Sequence, residues 1–135
     1  MQNWLSSQNF QAKAKNYTLL PNNEGIAQQV LAIVAEDEPY GIAQLPTLLP
    51  KQNYHRCESS TAALSADNLF LGWGLGAYRF DRYADKKAAA QLISEQVSAE
   101  AQALLRESLL VRTLINTPTE NMGTDELEAA VSDSA

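Results

Sequence analysis

One stretch decides the fold of this chain, Leu69 to Tyr83, which reads Leu-Phe-Leu-Gly-Trp-Gly-Leu-Gly-Ala-Tyr-Arg-Phe-Asp-Arg-Tyr. Read as a helix, it is apolar nearly all round, and such a helix is buried rather than laid on a surface. Gly72 and Gly76 lie four residues apart on one face. Each glycine costs about 1 kcal/mol relative to alanine inside a helix, so close approach of another backbone should offset that cost. We therefore predict a central helix that begins near Thr61 and ends near Tyr83.

The glycines of this stretch also suggest a second interpretation, a phosphate-binding loop built on Gly72, Gly74 and Gly76. Such a loop follows a strand and opens a helix. Here the glycines lie inside a helical pattern, and no strand directly precedes them. The context favours helix packing over nucleotide binding.

Composition narrows the class of protein. The chain has 135 residues, enough for one domain with a core, and 45% of them are hydrophobic. Its net charge of −6 argues against non-specific nucleic-acid binding, which needs a basic surface. No apolar run is long enough for a membrane span, and the start lacks the features of a signal peptide. A lone cysteine, Cys57, fits a reducing compartment, so we expect a cytoplasmic protein.

The pattern along the chain predicts a mixed α/β fold. We expect strands over 10–15, 17–20, 26–35, 53–58 and 88–94, with a turn at 21–25 joining the second and third into a hairpin. Besides the central helix, capped by Ser59, Ser60 or Thr61, we expect helices over 40–45, over 98–115 and after Thr124, which should cap the last one. Strands separated by helices imply a partly parallel sheet with helices on both faces, and the hairpin makes it mixed.

The helix over 98–115 carries an apolar stripe that we expect to face the core. Ser98 is its predicted N-cap and Pro118 its stop. The predicted inner residues are Leu104, Leu105, Val111, Leu114 and Ile115.

Few residues suggest chemistry. His55 and Cys57 are too few for a closed zinc site, which takes four ligands. Arg79, Asp81 and Arg82, near the end of the central helix, are better explained as surface charges. The acidic residues before Pro39 (Glu36, Asp37 and Glu38) are better explained as part of a loop. Asn116 and Asn121 lie on either side of Pro118 and are better explained as hydrogen-bonding residues of a connector. We therefore predict no catalytic, cofactor-binding or metal-binding residue in this chain.

Two segments resemble the leucyl (cytosol) aminopeptidase family. Leu71–Tyr83 is similar to the Gly-Trp-Ala-Leu-Gly-Ala-Tyr-Arg-Phe segment of that family, and Leu110–Gly123 resembles the segment that leads into its catalytic domain. Between Gly41 and Tyr54 the Leu-Pro, Leu-Leu-Pro and Tyr pattern also matches. Thr124 stands where the family often has proline.

The resemblance implies an N-terminal α/β domain similar to macro domains, followed by a larger catalytic domain. Members are usually hexamers that remove N-terminal residues from peptides with two divalent metal ions, zinc or manganese. Their metal ligands and their catalytic lysine and arginine lie in the catalytic domain, and none of those motifs occurs here. We expect residues 1–117 to form the N-terminal domain, and residues 118–135 to form a connector and the first helix leading to the catalytic domain.

Two alternatives stay open beside this interpretation. The chain could be a stand-alone macro-like module that binds a small molecule of the ADP-ribose type, which rests on fold analogy alone. It could also be an assembly module that positions the subunits of the parent, which is compatible with the first interpretation.

Overall fold

The structure, a computed structural model, describes residues 2–35, 38, 40–57, 64–81, 89–94 and 96–132. Its helices are α1 (Gln2–Ser7), α2 (Leu45–Leu48), α3 (Ala66–Ala77), α4 (Ala99–Asn116) and α5 (Thr124–Ser132), and a 3₁₀ turn spans Thr119–Asn121. Its strands are β1 (Tyr17–Pro21), β2 (Ala27–Ala32), β3 (Asn53–His55) and β4 (Gln91–Ile93). The mixed α/β class predicted from the sequence is confirmed.

The predicted hairpin is present as the antiparallel pair β1–β2, with Thr18 opposite Leu31. Gly25 supplies the positive φ of its turn, at +82°, and the Asn22 side chain accepts hydrogen bonds from the backbone N–H groups of Glu24 and Ile26. An asparagine that binds the backbone two residues on, followed by a glycine, is a turn signal that needs no tertiary support.

The strand predicted over residues 10–15 is wrong. Asn16 donates its backbone N–H to the Lys13 carbonyl, and Lys15 has a φ of 71°, so the segment turns instead of extending. Residues 11–16 are all exposed, including both alanines. The alternation of alanine with charged residues therefore marks no buried face.

The strands form two separate two-stranded sheets in the described part of the chain, and the predicted single mixed sheet is wrong in that respect. β3 and β4 pair in parallel, Tyr54 opposite Leu92, with α3 as the crossover between them. Both strands are only three residues long, shorter than the predicted 53–58 and 88–94. One hydrophobic core nevertheless joins both sheets to α3: Ile42, Leu45, Leu49, Trp73 and Ala90 are buried, and Leu19, Val30, Tyr54 and Leu92 pack against them.

The central helix is shorter than predicted at both ends. Ser65 caps α3, since its hydroxyl accepts the backbone N–H of Asn68 at 3.1 Å. The predicted caps Ser59, Ser60 and Thr61 lie outside the described residues. At the other end Tyr78 leaves the helix with a ψ of 130°, so residues 78–81 are not helical. The apolar pattern continues past Ala77 because Tyr78 and Phe80 pack without being helical.

The other helices show where local signals sufficed. Ser98 caps α4 as predicted, accepting the N–H of Ala101. The helix predicted over 40–45 is instead the single turn α2, which carries Pro46 in its first turn, where a missing N–H costs nothing. Thr124 is the first residue of α5 rather than its cap, and the Glu126 carboxylate accepts the N–H of Gly123 at 2.9 Å. None of the helices in the described part of the chain combines the length and apolar character that a membrane span requires.

Candidate functional site

Helix α3 lies in close contact with residues 40–43 at two of its glycines. A Cβ atom on Gly72 would lie 3.2 Å from the Cα of Tyr40, and one on Gly76 would lie 2.7 Å from the Cα of Ala43 and closer still to its carbonyl group. Real Cβ contacts essentially never fall below 3.0 Å. The predicted close approach of another backbone at these two glycines is therefore confirmed. The third glycine, Gly74, faces the side chain of Leu105 on α4.

These contacts decide against the phosphate-loop interpretation. All three glycines lie inside α3, and their Cα atoms are covered by segment 40–43 and by Leu105. A phosphate cradle needs free backbone N–H groups at the start of a helix, facing the ligand. Here the start of α3 is eight residues upstream of Gly74, at Ala66, and is capped by Ser65.

Polar contacts fasten α4 parallel to α3 at both ends. At the start of the pair the Asp67 carboxylate accepts the backbone N–H of Ser98 at 2.9 Å and its hydroxyl at 2.8 Å. At the other end Arg112 donates to the Leu75 carbonyl at 2.8 Å and lies 5.7 Å from the centre of the Tyr78 ring, a cation–π contact.

The Tyr78 hydroxyl forms further hydrogen bonds to α4. It is within 3.2 Å of the Thr113 hydroxyl and accepts the side-chain amide of Asn116 at 3.3 Å. The face of α4 that meets α3 is thus partly polar, with every polar group named here bound to a partner.

An open groove lies between α3 and β4, with a volume of about 260 Å³. It is lined by Phe70, Trp73, Gly74, Ala77, Ala90, Gln91, Leu92 and Ile93. The polar N–H of Trp73 is already donated to the Ala90 carbonyl at 2.9 Å. None of these eight lining residues has an ionisable side chain, so the described part of the groove offers apolar contact.

The residues weighed for chemistry, where the structure describes them, lie on or next to different elements of the fold. His55 ends β3 and is exposed, and Cys57 lies beyond the strand and is exposed. Arg79 and Asp81 follow α3, whereas Arg82, Glu36 and Asp37 lie outside the described residues. Glu38 forms an exposed ion pair with Lys15. Asn116 binds Tyr78, as above, and Asn121 closes the 3₁₀ turn. In the described ranges no group of three or more His, Cys, Asp or Glu side chains could hold a metal ion.

The predicted inner stripe of α4 is wrong for three of its five residues. Leu105 and Leu114 are partly buried, but Leu104 and Val111 are each 51% exposed and Ile115 is 77% exposed. The face that meets α3 carries Arg112, Thr113 and Asn116, whose partners Leu75 and Tyr78 lie far away in the sequence. We call the exposed face the α4 outer face (Leu104, Val111 and Ile115).

A family model for the N-terminal domain of M17 aminopeptidases matches residues 1–94. The chain belongs to the M17 aminopeptidase family. That match includes α3 and the segment on which its glycines pack, so this packing is part of the M17 N-terminal domain in this chain.

The fold agrees with a solved M17 relative. The crystal structure of cytosol aminopeptidase from Coxiella burnetii superposes with a TM-score of 0.80 at 26% sequence identity, over 98% of this chain. That superposition also takes in α4 and most of α5, which lie outside the family-model match. The chain spans only 30% of the length of that aminopeptidase. No curated protein matches the chain in sequence.

Family membership bears on the small-molecule alternative left open above, whereas the assembly role stays a prediction. It favours an M17 N-terminal domain over a stand-alone module that binds a small molecule. The likeness to macro domains stays a prediction.

Proposed function

We propose that this chain is the non-catalytic N-terminal domain of a leucyl aminopeptidase, whose parent protein removes N-terminal residues from peptides. The observation that carries the proposal is the pair of matches: the M17 N-terminal family model over residues 1–94, and a fold shared with 30% of a cytosol aminopeptidase. This domain accounts for less than a third of that relative, so we propose that catalysis belongs to the remaining part of the polypeptide.

The proposal assigns residues 1–117 to the N-terminal domain and residues 118–135 to the connector and first helix of the catalytic domain. The boundary coincides with the end of α4, where Thr117 leaves the helix and Pro118 follows. The parent is proposed to be a cytoplasmic homohexamer that acts on peptides. Its hydrolysis would use two divalent ions, zinc or manganese, held in the catalytic domain.

The residues described here do not fit such a metal pair. Two-metal hydrolysis takes several carboxylates arranged around both ions, and the described residues offer no group of three possible ligands. The proposed contribution of this chain is to fold as an independent unit and to contact its own catalytic domain.

The test is peptidase activity of this chain beside that of the parent polypeptide. Both are incubated with a leucyl chromogenic substrate and added zinc or manganese. We expect turnover by the parent and none above the buffer rate by this chain. Turnover by this chain alone would overturn its non-catalytic role, and an inactive parent would overturn the assignment to an aminopeptidase.

A further inference from the structure

Helix α4 carries apolar side chains on two different faces. One face meets α3 through Leu105, which covers Gly74, and through the polar contacts of Arg112 and Thr113. The other is the α4 outer face, in which Leu104, Val111 and Ile115 are spaced seven and four residues apart. In a helix with 3.6 residues per turn this spacing places them in one line along three turns.

This line differs from the scattered hydrophobic residues found on most surfaces, which need no explanation. Its three members are large, lie on one rigid element and are at least half exposed. Spacing of seven and four residues is the pattern by which a helix packs against a second partner. In the described part of the molecule α3 is the element that α4 contacts most, and it lies on the other face.

We infer that the α4 outer face is the surface on which the catalytic domain of the parent aminopeptidase docks. The inference rests on the function proposed above and names where the two domains meet. The occupant follows from the length of the related chain: 98% of this chain superposes on 30% of the cytosol aminopeptidase, so most of that polypeptide lies beyond this domain.

The position of the surface points to the same occupant. The line ends at Ile115, its most exposed member, directly before the connector that leads to α5. Helix α5 in turn exposes Leu127 and Val131. Apolar side chains are therefore exposed on both sides of the connector that leads towards the proposed catalytic domain.

The test is the rate at which a cysteine on the surface reacts with a maleimide reagent, in this chain and in the parent. The exposed native thiol is first removed by Cys57→Ser. Val111→Cys then reports on the α4 outer face. Arg106→Cys is the matched control, because Arg106 lies on the opposite side of the same helix with its side chain 71% exposed.

We expect Val111→Cys to react roughly tenfold more slowly in the parent than in this chain, because burial excludes the reagent, and Arg106→Cys to react at about the same rate in both. Equal rates for Val111→Cys in this chain and in an active parent would overturn the inference while leaving the proposed function intact. If Val111→Cys reacts slowly in this chain without the rest of the parent, and dilution of the sample speeds the reaction, the surface binds a second copy of the chain. That result would also overturn the inference. An inactive parent would count against the proposed function, and the labelling ratio would still report whether the surface is covered.

Discussion

Replacing Gly76 by alanine sets two physical effects against each other. Gly76 lies in the last full turn of α3, where alanine is better than glycine by about 1 kcal/mol in helix propensity. Its missing Cβ, however, is where the backbone of Ala43 passes: a Cβ there would lie 2.5 Å from the Ala43 carbonyl carbon and 2.7 Å from its Cα. Both distances are below the 3.0 Å that real Cβ atoms keep.

The clash cannot be relieved by turning a side chain, because the atoms it meets belong to the backbone. Helix α3 must separate from segment 40–43, which opens the core where Ile42 and Trp73 are buried. Overpacking costs about 1–3 kcal/mol when side chains can adjust, and a rigid neighbour puts Gly76→Ala at the upper end. After subtracting the gain in propensity, we expect a net loss of about 2 kcal/mol in the free energy of unfolding, or roughly 6–10 °C in Tm for a domain of this size.

Urea and thermal unfolding, followed by tryptophan fluorescence and circular dichroism, measure this loss. Gly74→Ala is the matched control: it brings the same gain in propensity in the same helix, but its new Cβ meets the terminal methyl groups of Leu105, which can move. We expect Gly74→Ala to lose less stability, and Leu105→Val to restore part of that loss. A Gly76→Ala protein that is as stable as the wild type, or more stable, would refute the close-approach argument, since propensity alone predicts that result.

Two further predictions concern the core and the last helix. Trp73→Phe leaves the buried Ala90 carbonyl without its donor, so we expect the free energy of unfolding in urea to fall by about 1–3 kcal/mol. Trp4→Phe removes an exposed hydrogen bond to the Leu19 carbonyl and should cost less, because water can replace the donor. Equal losses for the two variants would contradict the role of burial. Helix α5 has nine residues and none of them is buried. Because isolated helices shorter than about 12 residues are marginal in water, we expect the amide hydrogens of residues 127–131 to exchange with solvent much faster than those of residues 71–78 in a monomeric sample. Comparable protection would show that this domain itself supplies a docking surface for α5.

Features that depend on neighbouring residues alone were predictable from the sequence. The hairpin turn follows from Asn22 and Gly25, and the start of α4 follows from the hydroxyl of Ser98. The close approach at Gly72 and Gly76 was predictable for a related reason: two glycines four residues apart in a buried helix are costly unless something fills the space they leave. The family resemblance of Leu71–Tyr83 and Leu110–Gly123 was sufficient to predict that the chain is a domain of an aminopeptidase.

The tertiary structure decided which face of α4 turns inward, and the sequence could not. Arg112, Thr113 and Asn116 face α3, because Leu75 offers a backbone carbonyl and Tyr78 offers a hydroxyl as their partners. These contacts join residues that lie some 35 positions apart in the sequence, and a periodic pattern does not show them. For the same reason Leu104, Val111 and Ile115 read as core residues in the sequence and lie on the surface of the folded domain.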